Sequence, residues 1–327
     1  MKKNIAVIAG GDSSEIIVSL KSAAGIYSFL DREKYNPYIV IITSQAWEVM
    51  ISENEKAPVD KNDFGFKADG KKIWFDFAYI TIHGTPGENG ILQGYFELIG
   101  LPYSGCNVLV SGITFNKFIC NQLLKTFGVK VAEAVLLRKG QSMTGDDVAV
   151  KIGFPCFVKP NTGGSSFGVT KVKTADQVQS ALEKAFSEAD EVLIEAFMDG
   201  MEVTCGMYKT RQKEIIFPVT EVVSDNEFFD YDAKYKGKSQ EITPARISKE
   251  LTERIQKLTK AIYEILGCKG LTRTDYIITE NSEIRLLEIN TTPGMTPASF
   301  IPQQVRAAGL NMTNVMSEII EDAFTDE

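Results

Sequence analysis

The sequence predicts an α/β protein, in which an N-terminal lobe built on an open parallel sheet precedes a two-lobed part of α+β type. Apolar segments alternate with helical patterns over about residues 1–105, as they do in open parallel sheets. Further along, a glycine-rich loop separates two short apolar segments, and a polar tetrad separates another two. The last pair is typical of an antiparallel hairpin.

Each predicted lobe has its own elements. The first lobe, residues 1–105, has strands at 4–9, 38–42 and 77–82 and a helix at 15–30. The second, residues 106–194, has a helical stretch from about 105 to 124 and strands at 155–158 and 169–172 around the glycine-rich loop. The third, residues 195–327, has a strand at 202–208, an irregular segment at 224–245, a helix at 249–266, the hairpin and a final helix.

Composition limits the class of protein. The chain has 327 residues, of which 44% are apolar, enough for two or three hydrophobic cores. We expect no signal peptide and no membrane association, because the first apolar run ends at Gly10 and no segment approaches the roughly 20 apolar residues of a membrane span. Five scattered cysteines without a Cys-x-x-Cys pair indicate the cytoplasm. A net charge of −8 argues against nucleic-acid binding.

The predicted hairpin joins segments 276–279 and 284–287, which are short and rich in apolar and β-branched residues. The polar tetrad between them is expected to form the turn, centred between Asn281 and Ser282. The cross-strand pairs are then Asp275 with Glu288 and Arg273 with Asn290.

These side chains predict a metal site. Carboxylates that face each other across two strands, about 5 Å apart, repel unless a cation lies between them. Asp275, Glu288 and Asn290 offer only oxygen donors, which suit Mg²⁺ carrying a nucleotide phosphate. The alternative is a solvated acidic face without a ligand.

The loop from Lys159 to Gly168 predicts a phosphate-binding flap between two strands. Its glycines and serines let backbone N–H groups approach a phosphate, and Lys159 supplies a positive charge. It is not a Walker A loop, because the lysine precedes the glycines and no helix follows. The alternative is a flexible hairpin loop without a ligand.

Polar residues after the first and later strands suggest substrate contacts. Gly10-Gly11 lacks the spacing of a dinucleotide-binding loop, but Glu15 at the following helix could meet an ammonium or only compensate the helix dipole. His83, the single histidine, precedes a glycine-rich turn and is either structural or near a ligand. Thr296 and Pro297 are expected to open the last helix, where Ser299 could bind a carboxylate or simply belong to the cap.

Two further segments suit a nucleotide. Glu195 ends the apolar strand 192–195, and Glu202 begins the next strand. Carboxylates at the border of an apolar slot form a plausible nucleoside pocket. The long segment 224–245 is crowded with charged and aromatic residues, which favours a lid.

Motifs spread over nearly the whole chain resemble those of the D-alanine-D-alanine ligases of the ATP-grasp superfamily. In chain order they are Gly10-Gly11-x-Ser13-x-Glu15, His83-Gly84-x-x-Gly87-Glu88-Asn89-Gly90, Val158-Lys159-Pro160, Gly164-Ser165-Ser166, Ala233-Lys234-Tyr235, Arg273-x-Asp275 and Leu287-Glu288-x-Asn290-Thr291-x-Pro293-Gly294-Met295-Thr296. The resemblance implies an ATP-grasp fold and an enzyme that phosphorylates one D-alanine with ATP and couples it to a second. It also implies a dipeptide product for peptidoglycan synthesis and a homodimer formed through the first lobe.

The resemblance implies roles for the residues that touch D-alanine. Glu15 would hold the ammonium of the first D-alanine, with Ser165 and Tyr235 completing a hydrogen-bonded group, and His83 would line its carboxylate. The remaining contacts would be the oxyanion donors Arg273 and the Gly294 N–H, and Ser299 at the carboxylate of the second D-alanine.

It also implies the nucleotide site. The phosphates would be neutralised by Lys117, Lys159 and Lys234. Adenine and ribose would be held by Glu195, the Phe197-Met198 backbone and Glu202. Two Mg²⁺ ions, which Mn²⁺ could replace, would be bound by Asp275, Glu288 and Asn290.

Two alternatives stay open. One is an ATP-grasp ligase with another amino or hydroxy acid as second substrate, although Lys234-Tyr235 favours an amine, since relatives that make D-alanyl-D-lactate usually lack this tyrosine. The other is a nucleotide-binding sensor without turnover. The presence of Arg273 beside the three metal ligands argues against it. Phe300, where relatives often have Leu, and Thr162-Gly163 in the flap depart from the family pattern.

Overall fold

The computed structural model describes residues 2–13, 15–164, 167–224 and 239–324. Within these ranges the chain folds into three sheets of seven, four and six strands, with helices packed against them. This mixed architecture confirms the predicted fold class. No helix in the described ranges combines the length and the apolar character that crossing a bilayer requires.

The first sheet has the strand order β6-β5-β4-β3-β2-β1-β7. Its strands are β1 Lys3–Gly10, β2 Tyr35–Ile42, β3 Trp47–Met50, β4 Lys56–Asp60, β5 Gly65–Ala68, β6 Lys71–Ile73 and β7 Phe77–Ile80. The accompanying helices are α1 Ile16–Phe29 and α2 Ile91–Ile99. β1 is parallel to both β2 and β7 and fully buried from Ile5 to Ala9, as expected for a strand covered on both faces.

The prediction of parallel strands is wrong for β3 to β6, which continue the sheet as an antiparallel meander. These strands have only three to five residues, so each is too short to show a clear apolar period. Aromatic packing holds them, as when Phe66 stacks on Phe75 with ring centroids 5.4 Å apart.

The second sheet is antiparallel, with the order β10-β9-β11-β8. Its strands are β8 Ala134–Arg138, β9 Cys156–Pro160, β10 Thr170–Val172 and β11 Glu191–Ala196, and the helices in this part of the chain are α3 Val108–Phe115, α4 Lys117–Thr126, α5 Gly145–Lys151 and α6 Val178–Phe186. β9 and β10 flank the glycine-rich loop, which confirms the predicted flap position. The predicted helical stretch before Leu124 is present as two helices, because Asn116 takes an extended conformation and caps α4 by accepting the N–H of Ile119.

The third sheet is antiparallel and has the order β15-β14-β12-β16-β17, with β13 paired to β12. Its strands are β12 Met201–Lys209, β13 Glu214–Ile216, β14 Thr220–Ser224, β15 Ser239–Ile242, β16 Thr272–Ile278 and β17 Ile284–Asn290. The helices are α7 Lys249–Leu266, α8 Phe300–Ala307 and α9 Met312–Asp322. The ends of the segment predicted as a lid form β14 and β15, while its central part, 225–238, lies outside the described residues.

The prediction of one final helix opened by Thr296 and Pro297 is wrong. Two helices occur, and α8 begins at Phe300 with Ser299 as its N-cap residue. Residues 296–299 form a turn instead, in which the Ser299 N–H donates to the Thr296 carbonyl over 2.9 Å. Pro297 therefore lies inside this turn and not in the first helical turn.

The C-terminal helices α8 and α9 pack on the first sheet and hold the loop before α8, residues 291–299, beside α1. One hydrophobic core joins β1, β7 and α1 to α8 and α9, with Ile26, Phe77, Ile301 and Met316 among its fully buried members. Gly25 lies where α1 meets the loop before α8. A Cβ added at Gly25 would stand only 2.1 Å from the carbonyl oxygen of Met295, so only glycine allows this approach.

We predict that Gly25→Ala forces α1 and the 295–296 backbone apart and lowers the free energy of unfolding by about 1–3 kcal/mol. Chemical denaturation measures this change. Gly94→Ala in α2 is the matched control, because its Cβ would meet only a Val108 methyl at 3.6 Å. That control should be neutral or more stable by up to about 1 kcal/mol. Equal stability of the two variants would contradict the close contact.

Candidate active site

Two cavities adjoin each other where the three sheets meet. The larger, about 680 Å³, lies between α1, the loop 291–299 and the glycine-rich loop, and the smaller, about 300 Å³, lies between the second and third sheets. They share the lining residues Lys117, Gly163, Gly164, Arg273, Glu288 and Phe300. A group bound in one cavity can thus reach a group bound in the other across this shared wall.

Every predicted site residue in the described part of the chain lines one of these cavities. In the larger are Glu15, His83, Asn290, Gly294 and Ser299; in the smaller are Lys159, Glu195, Phe197, Met198, Glu202 and Asp275; and in both are Lys117, Arg273 and Glu288. Ser165, Lys234 and Tyr235 lie outside the described residues. The two sets match the predicted division into an amino-acid end and a nucleotide end, but the individual roles stay predictions.

The hairpin of β16 and β17 has the predicted cross-strand pairs at its carboxylate end, but its register near the turn differs from the prediction. Asp275 faces Glu288 and Arg273 faces Asn290, while Tyr276 pairs with Leu286. The ladder therefore shifts by one residue between Asp275 and Tyr276, so the turn is not centred where we predicted. Leu287 is the extra residue on β17, and this bulge restores the register at the carboxylate end.

Cationic side chains of the chain itself neutralise the opposed carboxylates. Arg273 donates to both oxygens of Asp275 over 2.9 and 2.8 Å, and Lys117 Nζ lies 3.6 Å from Glu288 Oε2. Asn290 donates its amide to Asp275 over 3.3 Å. The expectation that only a bound metal offsets this repulsion is thus incomplete.

The donor set at this end of the hairpin fits a hard divalent cation. Two carboxylates in direct register and the Asn290 amide offer oxygen ligands here; Asp275 lines the smaller cavity, Asn290 the larger and Glu288 both. Among the described residues, no three His, Cys, Asp or Glu side chains converge as a metal-binding group. The set therefore depends on the amide and on ligand oxygens to complete the coordination.

The glycine-rich loop is tied to the start of α4. The Asn161 side-chain oxygen accepts the Phe118 N–H over 2.9 Å, and its carbonyl accepts the Lys117 N–H over 3.1 Å. Lys117 Nζ in turn donates to the Gly163 carbonyl over 2.5 Å. Asn161 is fully buried, and its structural role was not predicted, because the sequence shows only one polar residue within a polar loop.

Lys159 and Glu195 form a buried ion pair in the smaller cavity. The Nζ–Oε2 distance is 2.7 Å, and the side chains are 10% and 3% exposed. The pair arises because β9 and β11 are neighbours and Lys159 lies opposite Leu193. Glu195 therefore holds the predicted phosphate-binding lysine, a contact that sequence reasoning did not foresee.

Glu15 and His83 line the larger cavity and both are buried. The Glu15 side chain makes no capping bond to α1, and a Cβ on Gly164 would be 2.9 Å from its Oε1. The glycine-rich loop thus reaches Glu15. His83 Nε2 lies 3.2 Å from Ser22 Oγ, and Nδ1 lies 3.7 Å from Glu88 Oε1, which holds the ring on both sides.

Ser299 and Gly294 also line the larger cavity. Ser299 Oγ accepts the Thr296 N–H over 3.1 Å and lies 2.8 Å from the Thr296 hydroxyl. Its hydroxyl is therefore engaged within the turn before α8, where the sequence left open a contact with a carboxylate or a role in the cap. Gly294 packs beside it, since a Cβ there would be 3.2 Å from Ser299 Oγ.

The comparisons with known proteins agree with this geometry. A family model for the D-ala D-ala ligase N-terminus matches residues 4–106, and one for the D-ala D-ala ligase C-terminus matches residues 123–321. A D-alanine-D-alanine ligase of Phocaeicola vulgatus is 66% identical over 324 residues, which cover 99% of this chain and 100% of the relative.

Solved structures show the same similarity. The VanG D-Ala:D-Ser ligase from Enterococcus faecalis is 32% identical with a TM-score of 0.86, covering 99% of this chain and 100% of the other. A D-alanine-D-alanine ligase from Bacillus anthracis, solved in complex with ATP, is 33% identical with a TM-score of 0.76 and covers 98% of this chain and 97% of its own.

We predict that Glu195→Gln lowers the free energy of unfolding by about 3–5 kcal/mol, because it leaves the Lys159 ammonium buried without a counter-charge. Chemical denaturation measures the change. Asp190→Asn is the matched control, since Asp190 pairs with Lys139 over 3.0 Å while both side chains are at least 70% exposed. Its loss should cost less than about 1 kcal/mol. Equal losses in both variants would show that burial of the pair is unimportant.

Proposed function

The chain belongs to the D-alanine-D-alanine ligase family, and from that premise we propose how its two cavities carry out the reaction. The enzyme joins two D-alanine molecules with ATP to give D-alanyl-D-alanine for peptidoglycan synthesis. The observation that carries the proposal is the shared wall of the cavities, which brings Lys117, Arg273 and Glu288 between them. A nucleotide in the smaller cavity would thereby present its terminal phosphate to an amino acid in the larger one.

In the first step, a carboxylate oxygen of the donor D-alanine attacks the γ-phosphorus of ATP, and ADP leaves. Lys117 and Lys159 would balance the phosphate charge, and the backbone of the glycine-rich loop would cover the phosphates. Asp275, Glu288 and Asn290 would hold Mg²⁺, or Mn²⁺ in its place, which neutralises the β- and γ-phosphate oxygens when bound. Arg273 and Lys117 keep these acidic side chains in position beforehand.

In the second step, the amine of the acceptor D-alanine attacks the acyl carbon, and phosphate leaves. The charge of the tetrahedral oxyanion would be stabilised by Arg273 and by the Gly294 N–H. Both line the larger cavity, and Gly294 lies beside Ser299, which we assign to the acceptor carboxylate at the start of α8. Exclusion of water from this cavity would protect the acyl phosphate from hydrolysis.

The remaining proposed contacts are with the donor D-alanine and with the nucleoside. Glu15 would bind the donor ammonium, and His83, fixed by Ser22 and Glu88, would line the donor carboxylate. Adenine and ribose would occupy the smaller cavity, which is lined by Phe197, Met198, Glu195 and Glu202. Roles for Ser165, Lys234 and Tyr235 in closing the site rest on the family pattern alone.

We also assign a homodimer and the cytoplasm. The first lobe exposes large apolar side chains on α1 and α2, where Ile17 is 57%, Ile91 60% and Leu98 88% exposed. Such residues on one lobe suit a subunit interface, and sedimentation as a monomer would contradict it. All five cysteines are buried free thiols, which suits a reducing compartment.

The direct test of the function is an assay of ADP release with Mg-ATP. One candidate substrate is tested at a time: D-alanine, L-alanine or D-serine by itself, or D-lactate together with D-alanine as the donor. We expect D-alanine alone to support turnover, with one dipeptide formed per ADP by mass spectrometry. Faster turnover with D-serine would favour the activity named for the VanG relative. Binding of Mg-ATP without any D-alanine-dependent ADP release would instead indicate a sensor.

We predict that Glu288→Gln lowers turnover at limiting Mg²⁺ at least about 10- to 100-fold and raises the Mg²⁺ requirement, because a charged ligand is lost. Kinetics over a Mg²⁺ titration measure both. Glu283→Gln in the same hairpin is the control, since Glu283 pairs with Lys130 and Arg285 away from both cavities. Near-normal turnover of the Glu288 variant would remove this residue from the site.

A further inference from the structure

Glu241, an acidic residue that lines the larger cavity, has no role in the proposed mechanism. Four acids of the described chain line this cavity: Glu15, Glu88, Glu241 and Glu288. Glu88 accepts the Gly84 N–H over 2.8 Å and faces His83, Glu288 faces Lys117, and Glu15 belongs to the donor end. Glu241 remains, on β15.

Glu241 is held at the acceptor end of the cavity. Gln303, in the first turn of α8, donates its side-chain amide to Glu241 Oε2, and the same nitrogen donates to the Ala298 carbonyl over 2.6 Å. The carboxylate is thus fixed beside the turn that carries Ser299. The positive charge of Arg273, the proposed oxyanion donor, also acts on it.

The second oxygen of this carboxylate, Oε1, accepts no hydrogen bond from the residues that the structure describes, although the Glu241 side chain is partly buried. Burial raises the pKa of Glu241, and the hydrogen bond from Gln303 and the charge of Arg273 oppose that rise. A partly buried carboxylate with unused acceptor capacity is stabilised by a cation or an N–H donor that enters the cavity.

We propose that Glu241 binds the ammonium of the acceptor amino acid and so selects amino acids over hydroxy acids. This rests on the proposed acceptor site at Ser299. An α-amino acid carries its ammonium next to its carboxylate, so a molecule whose carboxylate meets Ser299 can present its nitrogen to a carboxylate beside the same turn. A hydroxy acid offers only a neutral O–H there, and it gains less from the contact.

The surrounding charges agree with this selection. Glu15, which binds the other ammonium in the proposed mechanism, lines the same cavity beside the Gly164 backbone. The cavity would then offer one carboxylate to each of the two ammonium groups, and Arg273 lines it as well. The cavity thus matches two amino acids in charge as well as in number.

The test is Glu241→Gln, which keeps an oxygen that can accept from Gln303 but removes the charge. Steady-state kinetics give the KM for the acceptor D-alanine and for ATP, and a competition between D-alanine and D-lactate gives the product ratio by mass spectrometry. We expect the acceptor KM to rise about tenfold and the ratio of dipeptide to depsipeptide to fall about tenfold, from the loss of a charged hydrogen bond. The KM for ATP should stay within about twofold. Glu241→Asp should restore part of the preference.

Glu283→Gln is the matched control, because it makes the same substitution at a carboxylate that pairs with Lys130 and Arg285 and lines neither cavity. Its product ratio should stay near that of the wild type. An unchanged acceptor KM and ratio in Glu241→Gln would overturn the inference, and so would an equal loss with both acceptors or the same shift in Glu283→Gln. If the wild type releases no ADP with D-alanine, the proposed function fails and the inference falls with it; wild-type activity with an unshifted ratio contradicts the inference alone.

Discussion

Asp275 and Glu288 face each other across two strands, where their charges would repel unless cations lay close by. Arg273 holds Asp275 with two hydrogen bonds, and Lys117 stands 3.6 Å from Glu288. These contacts link β16 and β17 to the start of α4, and Lys117 extends the link to the glycine-rich loop through Gly163. The charge balance at this wall therefore positions the elements that would surround a nucleotide phosphate.

The amino-acid side of the site depends on a different kind of contact. The C-terminal helices share a hydrophobic core with the first sheet, which brings the loop 291–299 against α1. Gly25 makes this approach possible, because any side chain would meet the Met295 carbonyl. Glu15 and Ser299, far apart in the sequence, thereby line one cavity. The first and last parts of the chain thus meet at this cavity, although they lie at opposite ends of the sequence.

Much of the site could be predicted because its residues follow strong local patterns. The hairpin pairs were correct at Asp275, although the turn position was wrong, since the bulge at Leu287 compensates the shift. A bulge depends on packing of the finished sheet, which a local pattern does not record. The meander of β3 to β6 and the split of the last helix were missed for the same reason: their signals are short and depend on tertiary contacts. Glu241 and Asn161 gave no signal at all, because each is one polar residue among many until the fold brings it to a cavity or a helix start.

We propose that the carboxylate end of this hairpin binds the metal that accompanies the nucleotide. The decisive experiment is a crystal structure of the enzyme with ADP and Mn²⁺, in which anomalous scattering locates the metal. We expect anomalous density among the side-chain oxygens of Asp275, Glu288 and Asn290, with the β-phosphate of the nucleotide in contact with the same metal. Metal density elsewhere, with Asp275 still bound to Arg273 and no ion beside it, would rule out this metal site.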